Sequence, residues 1–228
     1  MGVEGQEKLR SAHAVIIGAG GLGCPAAMYL AAAGIGRLTL ADGDKVDLTN
    51  LQRQILYRTA QVGAVKVHAA RATLNEVNPD VVVVPLHERL ESFERHVAAA
   101  DVVLDCSDNF KTRHALNRAC VLHKKPLVAG AAIRFDAQLM VFDLSKSTSP
   151  CYSCLFPEDS EVEEVQCSTM GVFAPLTGVI GALQAMEAMK LVAGVGESLA
   201  GRMQIYDAKN AEWRSVRVRK DPRCSVCS

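Results

Sequence analysis

The sequence predicts an α/β fold: a mostly parallel sheet with helices on both faces, continued at its carboxyl-terminal side by antiparallel strands. Three observations predict it. Through the first 130 residues, short apolar runs ending in Gly or Asp alternate with helical segments, the order of a parallel sheet covered by helices. The first run leads straight into Gly18-Ala19-Gly20-Gly21-Leu22-Gly23, a G-x-G-x-x-G turn between strand and helix. Beyond Gly130 the pattern changes to alternating apolar and polar residues and one long apolar helix.

Each element follows from local chemistry. "AVIIG" reads as a buried strand, and residues 21–33 as a helix closed by Gly34. "RLTLAD" is a second strand ending at Asp42, and residues 64–75 form a helix stopped by Asn78-Pro79. "VVVVPL" is the third strand, and residues 90–100 a short helix. "DVVLDCSD" is the fourth strand, residues 110–123 a helix, and "PLVAG" the fifth strand. "DAQLMVFDL" alternates as an antiparallel strand does, and "SKSTSP" is a turn or loop. Residues 157–169 are polar, acidic and without period, and read as a mobile loop. "APLTGVIGALQAMEAMKLVAG" is one long buried helix, and "GRMQIYDA" with "EWRSVRVRK" a hairpin.

Composition narrows the function classes. Lys plus Arg equals Asp plus Glu, at 25 each, so the basic excess of a dedicated nucleic-acid binder is missing. The apolar stretch over 172–195 holds Glu187, Lys190 and several Gly, and reads as a core helix rather than a membrane span. With no signal peptide visible, a cytoplasmic protein is expected. Eight Cys are many for a compartment where structural disulfides are rare.

Four of those cysteines form two C-x-x-C pairs, Cys151 with Cys154 and Cys224 with Cys227. The spacing suits a four-thiolate structural zinc site that ties the chain end to its middle. The alternatives are chance and two redox pairs. Cys24, Cys106 and Cys120 lie on expected helices or strand ends and read as small core residues. Cys167 stands in the polar loop "EVEEVQCSTMG". It is either an accessible, functional thiol or a loop thiol whose acidic neighbours raise its pKa.

The loop of Gly18, Gly20, Gly21 and Gly23 cradles a phosphate on backbone N–H groups. NAD, FAD, the nucleoside of a methyl donor and ATP all fit such a loop. Asp42 suits the ribose hydroxyls of either a dinucleotide or ATP. In "DGDKVDLTNLQRQ", Asn50, Arg53 and Gln54 fall in one turn, with Thr49, Leu51 and Gln52 as further binding candidates, and Lys66 opens the next helix. Extra cations suit a triphosphate better than a pyrophosphate. "LDCSDN" puts Asp108 and Asn109 at a strand's carboxyl end, where Asp108 suits a magnesium ion on phosphate oxygens. The plainer alternative makes Arg53 and Lys66 solvated surface charges and Asp108 a helix N-cap.

In order, "GAGGLG", "LTLADGDKVDLTNLQRQ", "GAVK", "LDCSDN", "CYSCL", "GVFAPLTGVIGALQAMEAMKLVAG" and "CSVC" resemble the ThiF/MoeB/HesA family. These are bacterial relatives of ubiquitin-activating enzymes. The resemblance spans nearly the whole chain. It implies a single Rossmann-like adenylation domain over 1–228, with a nucleotide-binding half at 1–130 and a carrier-binding and zinc half at 131–228. It implies ATP, magnesium and structural zinc. Its expected partner is a small β-grasp sulfur carrier of the ThiS or MoaD type, whose terminal Gly-Gly carboxylate becomes adenylated for thiamine or molybdenum-cofactor synthesis. By match to the family pattern, the glycine loop with Gly21 holds phosphates and Asp42 the ribose. Asn50, Arg53 and Lys66 contact the triphosphate, Asp108 holds magnesium, and Cys167 bonds the carrier in the ThiF branch. Other expectations on the same ground are a homodimer and a separate sulfurtransferase, since no such segment follows Ser228. The family also carries an Arg on a helical segment before "GVEGQEKL" that reaches the partner subunit's ATP site. The chain as written begins too late to hold it. Arg10 is the nearest candidate, expected beside the first strand, and slower adenylation than that of an upstream-extended form is expected.

Overall fold

A computed structural model of the chain describes residues 1–87, 94–158 and 170–228. One eight-stranded sheet runs through it in the order β3-β2-β1-β4-β5-β6-β7-β8. The strands are β1 (His13–Ile17), β2 (Arg37–Ala41), β3 (Val82–Leu86), β4 (Val102–Asp105), β5 (Leu127–Ile133), β6 (Asp136–Phe142), β7 (Arg202–Asp207) and β8 (Glu212–Arg217). The first five pair in parallel and the last three antiparallel, as the change of pattern after Gly130 predicts.

The helices are α1 (Gly2–Ser11), α2 (Gly23–Ala32), α3 (Lys66–Val77), α4 (Glu94–Ala98), α5 (Phe110–Leu122), α6 (Tyr152–Leu155) and α7 (Ala174–Ala193). The core lies in two layers. One, between the sheet and α2, α3 and α7, is built on Leu30, Leu38, Leu40, Leu74, Leu104 and Ile180. The other, under α5, is built on Val103, Leu116, Leu127, Met140 and Phe142. By length and composition α7 qualifies as a membrane span. Here half of it is buried against protein, with Gln184 and Glu187 among its buried residues.

The structure adds two helices to those expected and places Arg10 beside the first strand, as expected. Residues 2–11 form a helix that hydrophobic periodicity did not indicate, because only Gly5 and Leu9 of it are buried. Arg10 stands on its last turn and packs by its carbonyl on Gly36 at the amino ends of β1 and β2. The glycine turn lies at the opposite, carboxyl ends, so Arg10 is no part of that site in its own chain. Finally, α6 forms one helical turn across the first cysteine pair. Part of the helix expected over 90–100, most of the loop expected over 157–169, and Cys167 lie outside the described residues.

Strand order places the site. After β3 the chain returns to the other side of β1 and enters β4. The carboxyl ends of β1 and β4 therefore flank the point where the winding reverses, where open α/β sheets bind ligands. The glycine turn leaves β1 there, and Cys106 to Asn109 leave β4.

Candidate functional site

The glycine turn is tightly held yet leaves its donors free. Gly18 adopts φ +99°, and a Cβ on it would lie 2.5 Å from the Cys106 carbonyl oxygen, so only glycine fits. Its N–H donates to the Ala41 carbonyl at 2.8 Å. Ala19 is gripped at both polar groups: its N–H donates to Asp42 Oδ2 at 2.8 Å, and its carbonyl accepts the Tyr57 hydroxyl at 2.8 Å. Among the described residues, the N–H groups of Gly20, Gly21 and Leu22 meet no acceptor. Leu22 caps α2 with no side-chain bond. The result is a bare helix N-terminus with free donors, the arrangement that binds an anion. The first turn of α7 closes over it, with Thr177 Oγ1 3.0 Å from where a Cβ on Gly21 would stand.

Charged groups gather around this turn. Lys66, the first residue of α3, is 4% exposed. Its Nζ lies 3.1 Å from Asp44 Oδ2 and 3.9 Å from Asp42 Oδ1. Burial on this scale removes the reading of Lys66 as a solvated surface charge. Asp42 does more than the sequence suggested, since its carboxylate accepts from the N–H groups of Ala19 and Asp44 and so ties the glycine turn to the end of β2.

The "TNLQRQ" stretch forms a 3-10 turn over Leu48–Asn50 and the turn after it. Asp47 builds it by accepting from the N–H and hydroxyl of Thr49, and Gln52 Nε2 donates to the Thr49 carbonyl. Thr49 and Gln52 thus serve the turn, while Leu51 packs on the core. Arg53 is half-buried and makes no ion pair among the described residues. Gln54 is buried, and its Oε1 is the one buried side-chain polar atom without a partner among the described residues. Its Nε2 faces the turn, 3.7 Å from where a Cβ on Gly20 would stand.

On the β4 side, Asn109 rather than Asp108 caps α5. Asn109 Oδ1 accepts from Thr112 N at 2.8 Å and Thr112 Oγ1 at 2.7 Å. The N-cap reading of Asp108 therefore does not hold. Its carboxylate is exposed and, among the described residues, receives one long contact, from Asn109 Nδ2 at 3.4 Å. Tyr57 and Thr177, which shape the glycine turn, were not anticipated. A lone hydroxyl amid apolar neighbours was the available signal for each.

A second site lies under α5. The four cysteine Sγ atoms of the two pairs all stand within 4.8 Å of one another. Cys151 to Cys154 is 3.9 Å, Cys151 to Cys224 3.6 Å, and Cys154 to Cys227 3.5 Å. A tetrahedral ion with metal–sulfur bonds of about 2.3 Å requires sulfur–sulfur edges of about 3.8 Å, so the donor set fits zinc. The two pairs meet in one four-sulfur cluster, which suits a shared metal ion better than two separate redox pairs. Buried Cys24, Cys106 and Cys120 act as core residues, and burial pushes the Cys24 thiol up to about 12.

Asn117 of α5, fully buried, fastens the first pair. Its Nδ2 donates to Cys151 Sγ at 3.5 Å and Ser153 Oγ at 3.1 Å, and its Oδ1 accepts from Tyr152 N at 2.9 Å. Outer partners of metal ligands commonly set affinity by about 10- to 100-fold. Asn117→Ala is expected to lower zinc affinity within that range, measured by competition with a chromophoric chelator. An unchanged affinity would limit Asn117 to packing.

Comparison with known proteins agrees with this geometry. The ThiF family model matches residues 1–226. The chain is 46% identical over 231 residues to the sulfur carrier protein ThiS adenylyltransferase of Escherichia coli K12, covering 99% of this chain and 89% of that one. It is 45% identical over 229 residues to the molybdopterin-synthase adenylyltransferase of the same organism, covering 98% and 90%. Identity to the adenylyltransferase and sulfurtransferase MOCS3 of Drosophila yakuba is 46%, and there the chain spans only 51% of the relative's length. Among solved structures, Escherichia coli MccB with ATP superposes with a TM-score of 0.87 at 26% identity, covering 99% of this chain and 69% of that one. Motif order, sheet topology and a family match over almost every residue agree: the chain belongs to the ThiF family.

Proposed function

We propose that this protein adenylates the C-terminal carboxylate of a small sulfur-carrier protein ending in Gly-Gly. The observation that carries this reading is a convergence at one end of the sheet. Free N–H groups on Gly20 and Gly21 meet buried Lys66, exposed Asp108, and Arg53, which has no ion pair among the described residues. Two cations beside the free amides of the turn suit a polyphosphate, whose remaining charge a metal ion on Asp108 would offset. Support also comes from relatives named as adenylyltransferases for ThiS and for molybdopterin synthase.

The chemistry asks little of a general base. A terminal carboxylate is ionised at neutral pH, so the obstacle is bringing one anion to another. In the proposed reaction a carboxylate oxygen attacks the α-phosphorus of ATP. A carrier acyl-adenylate forms and pyrophosphate leaves. The glycine turn and the α2 N-terminus orient the phosphates, while Lys66 and Arg53 offset charge on the triphosphate and Asn50 offers it an amide donor. Asp42 is assigned to the nucleoside side, and Asn109 and Gln54 to the remaining lining of the nucleotide site. Asp108 offers a hard oxygen donor for magnesium, which would supply charge neutralisation on the leaving pyrophosphate. Residues 1–130 form the nucleotide half and 131–228 the carrier and zinc half, with zinc on the four cysteines as a structural tie.

The test is exchange of labelled pyrophosphate into ATP with ThiS-type and MoaD-type carriers side by side. Exchange that requires one carrier supports the reading and assigns the pathway. ATP binding without exchange in either case would leave a nucleotide-binding scaffold instead.

A homodimer is part of the proposal. Pro175, Val179 and Met186 share one face of α7 by helical period and are exposed, as is Tyr29 on neighbouring α2. Sedimentation at micromolar concentration is expected to give a species of twice the 24.5 kDa chain mass. A purely monomeric profile would remove the dimer.

A further inference from the structure

Beneath the Asp108 turn lies a buried ion pair that the reaction outlined above does not use. Asp105, at the end of β4, is 0% exposed, and Arg113, on the first turn of α5, is 7% exposed. Arg113 Nη1 lies 3.4 Å from Asp105 Oδ2. Arg113 Nη2 donates to the Ser107 carbonyl at 2.6 Å and to the Gly130 carbonyl of β5 at 2.9 Å. Asp105 Oδ1 in turn accepts from Ser107 N at 3.0 Å and Ser107 Oγ at 2.6 Å. From the far side, Gln184 of α7, also fully buried, donates to the Asp105 and Val128 carbonyls.

Burying an arginine and a carboxylate together is a weak way to stabilise a protein, because desolvation offsets most of the attraction. What this pair does achieve is geometric. It fixes Ser107 at its N–H, its hydroxyl and its carbonyl, so the peptide that leads into Asp108 has one orientation. Asn109, on the other side of Asp108, is fixed by capping α5. Asp108 is thus an exposed carboxylate on a backbone held at both neighbours, and a hard cation with strict coordination geometry needs its ligand held in this way.

We propose that Arg113 is a positioning residue for magnesium: paired with Asp105, it aims the Asp108 carboxylate at the metal of a bound nucleotide. The proposal rests on the assignment of Asp108 to magnesium. A guanidinium can reach Asp105, Ser107 and Gly130 at once because its donors form a planar fork, which a lysine ammonium cannot reproduce.

The experiment is calorimetric titration of ATP, once in EDTA and once in saturating magnesium, on the full chain and on Arg113→Lys, Ser107→Ala and Asp108→Asn, with thermal unfolding alongside. For Arg113→Lys, affinity in EDTA should match the parent, while the tightening caused by magnesium falls by about tenfold or more, as for other supports of metal ligands. Ser107→Ala should lose a smaller part in the same direction, and it decides the matter if Arg113→Lys does not fold. Asp108→Asn should lose the tightening altogether. Equal loss of affinity with and without magnesium, or tightening at the parent level in folded variants, overturns the proposal. So does a parent protein that shows no tightening. Magnesium-dependent tightening without carrier-dependent exchange would instead overturn the adenylation reading and leave the role of Arg113 standing.

Discussion

Pyrophosphate exchange is expected to fall by about 10²-fold or more in each of Lys66→Ala, Arg53→Ala and Asp108→Ala, the scale for removing one preorganised electrostatic contact. The three should differ in what else they do. Arg53 is half-buried without an ion partner among the described residues, and Asp108 is exposed. Their removal leaves no buried charge behind, so thermal stability should barely change. Lys66 is buried between Asp42 and Asp44. Its removal leaves the Asp42 carboxylate, 11% exposed, short of its cation, and unpaired buried charge is costly. Lys66→Ala should therefore lose stability as well as activity, and the Ala19 bond to Asp42 passes that damage to the glycine turn. Activity per folded molecule, measured with thermal unfolding, separates the two effects. Near-normal exchange in any two of the three variants would defeat the assignment of this pocket to a triphosphate.

Legibility in the sequence followed the kind of signal each residue carries. The parallel half of the sheet was readable because its strands are short, mainly apolar runs, most of them closed by Gly or Asp, and the cysteine cluster because paired C-x-x-C spacing has few other uses. Helix α1 was not readable. Its ten residues include two glycines and bury only Gly5 and Leu9, so no apolar stripe marks it. Its one local cue is the Glu4–Lys8 pair four residues apart, 2.7 Å in the structure. Arg113 was invisible for another reason. On an expected helix, an arginine five residues past Asp108 reads as a surface charge, and only the fold brings β4 and β5 together around it. Gln184 offered more, as an amide in the middle of an apolar helix, and its two carbonyl partners at the ends of β4 and β5 explain it. Lys66 was read as a candidate phosphate cation or a surface charge, and its depth depends on Asp42 and Asp44 arriving from the end of β2.

Loss of the metal is expected to cost stability and metal content together. Purified protein should contain one equivalent of zinc. Cys151→Ser and Cys227→Ser should each lower occupancy and bring unfolding down by roughly 10 °C. The size comes from the length of chain the cluster closes. Contacting cysteines of the two pairs are 73 residues apart, and cross-linking a loop of that order restrains the unfolded chain by about 4 kcal/mol. In a protein of this size each kcal/mol shifts the midpoint by roughly 2–4 °C. The location of the damage is also predictable. β8 is an edge strand whose six residues are all exposed, so little apolar burial holds it to β7. The chain end beyond β8 is tied down at Cys224 and Cys227, and Asp221 N–H donates to Cys154 Sγ at 3.4 Å. Without the ion, four sulfurs packed this closely return to thiols, and the tie weakens. Acid should have the same effect, since zinc binds the thiolate and protonation competes with it. Hydrogen exchange on chelated protein should therefore show β8 and residues 218–228 losing protection first, while β1, β4 and β5 keep theirs. Full thermal stability in metal-free protein, or loss of protection spread evenly over the sheet, would show that the cluster does not staple the chain end.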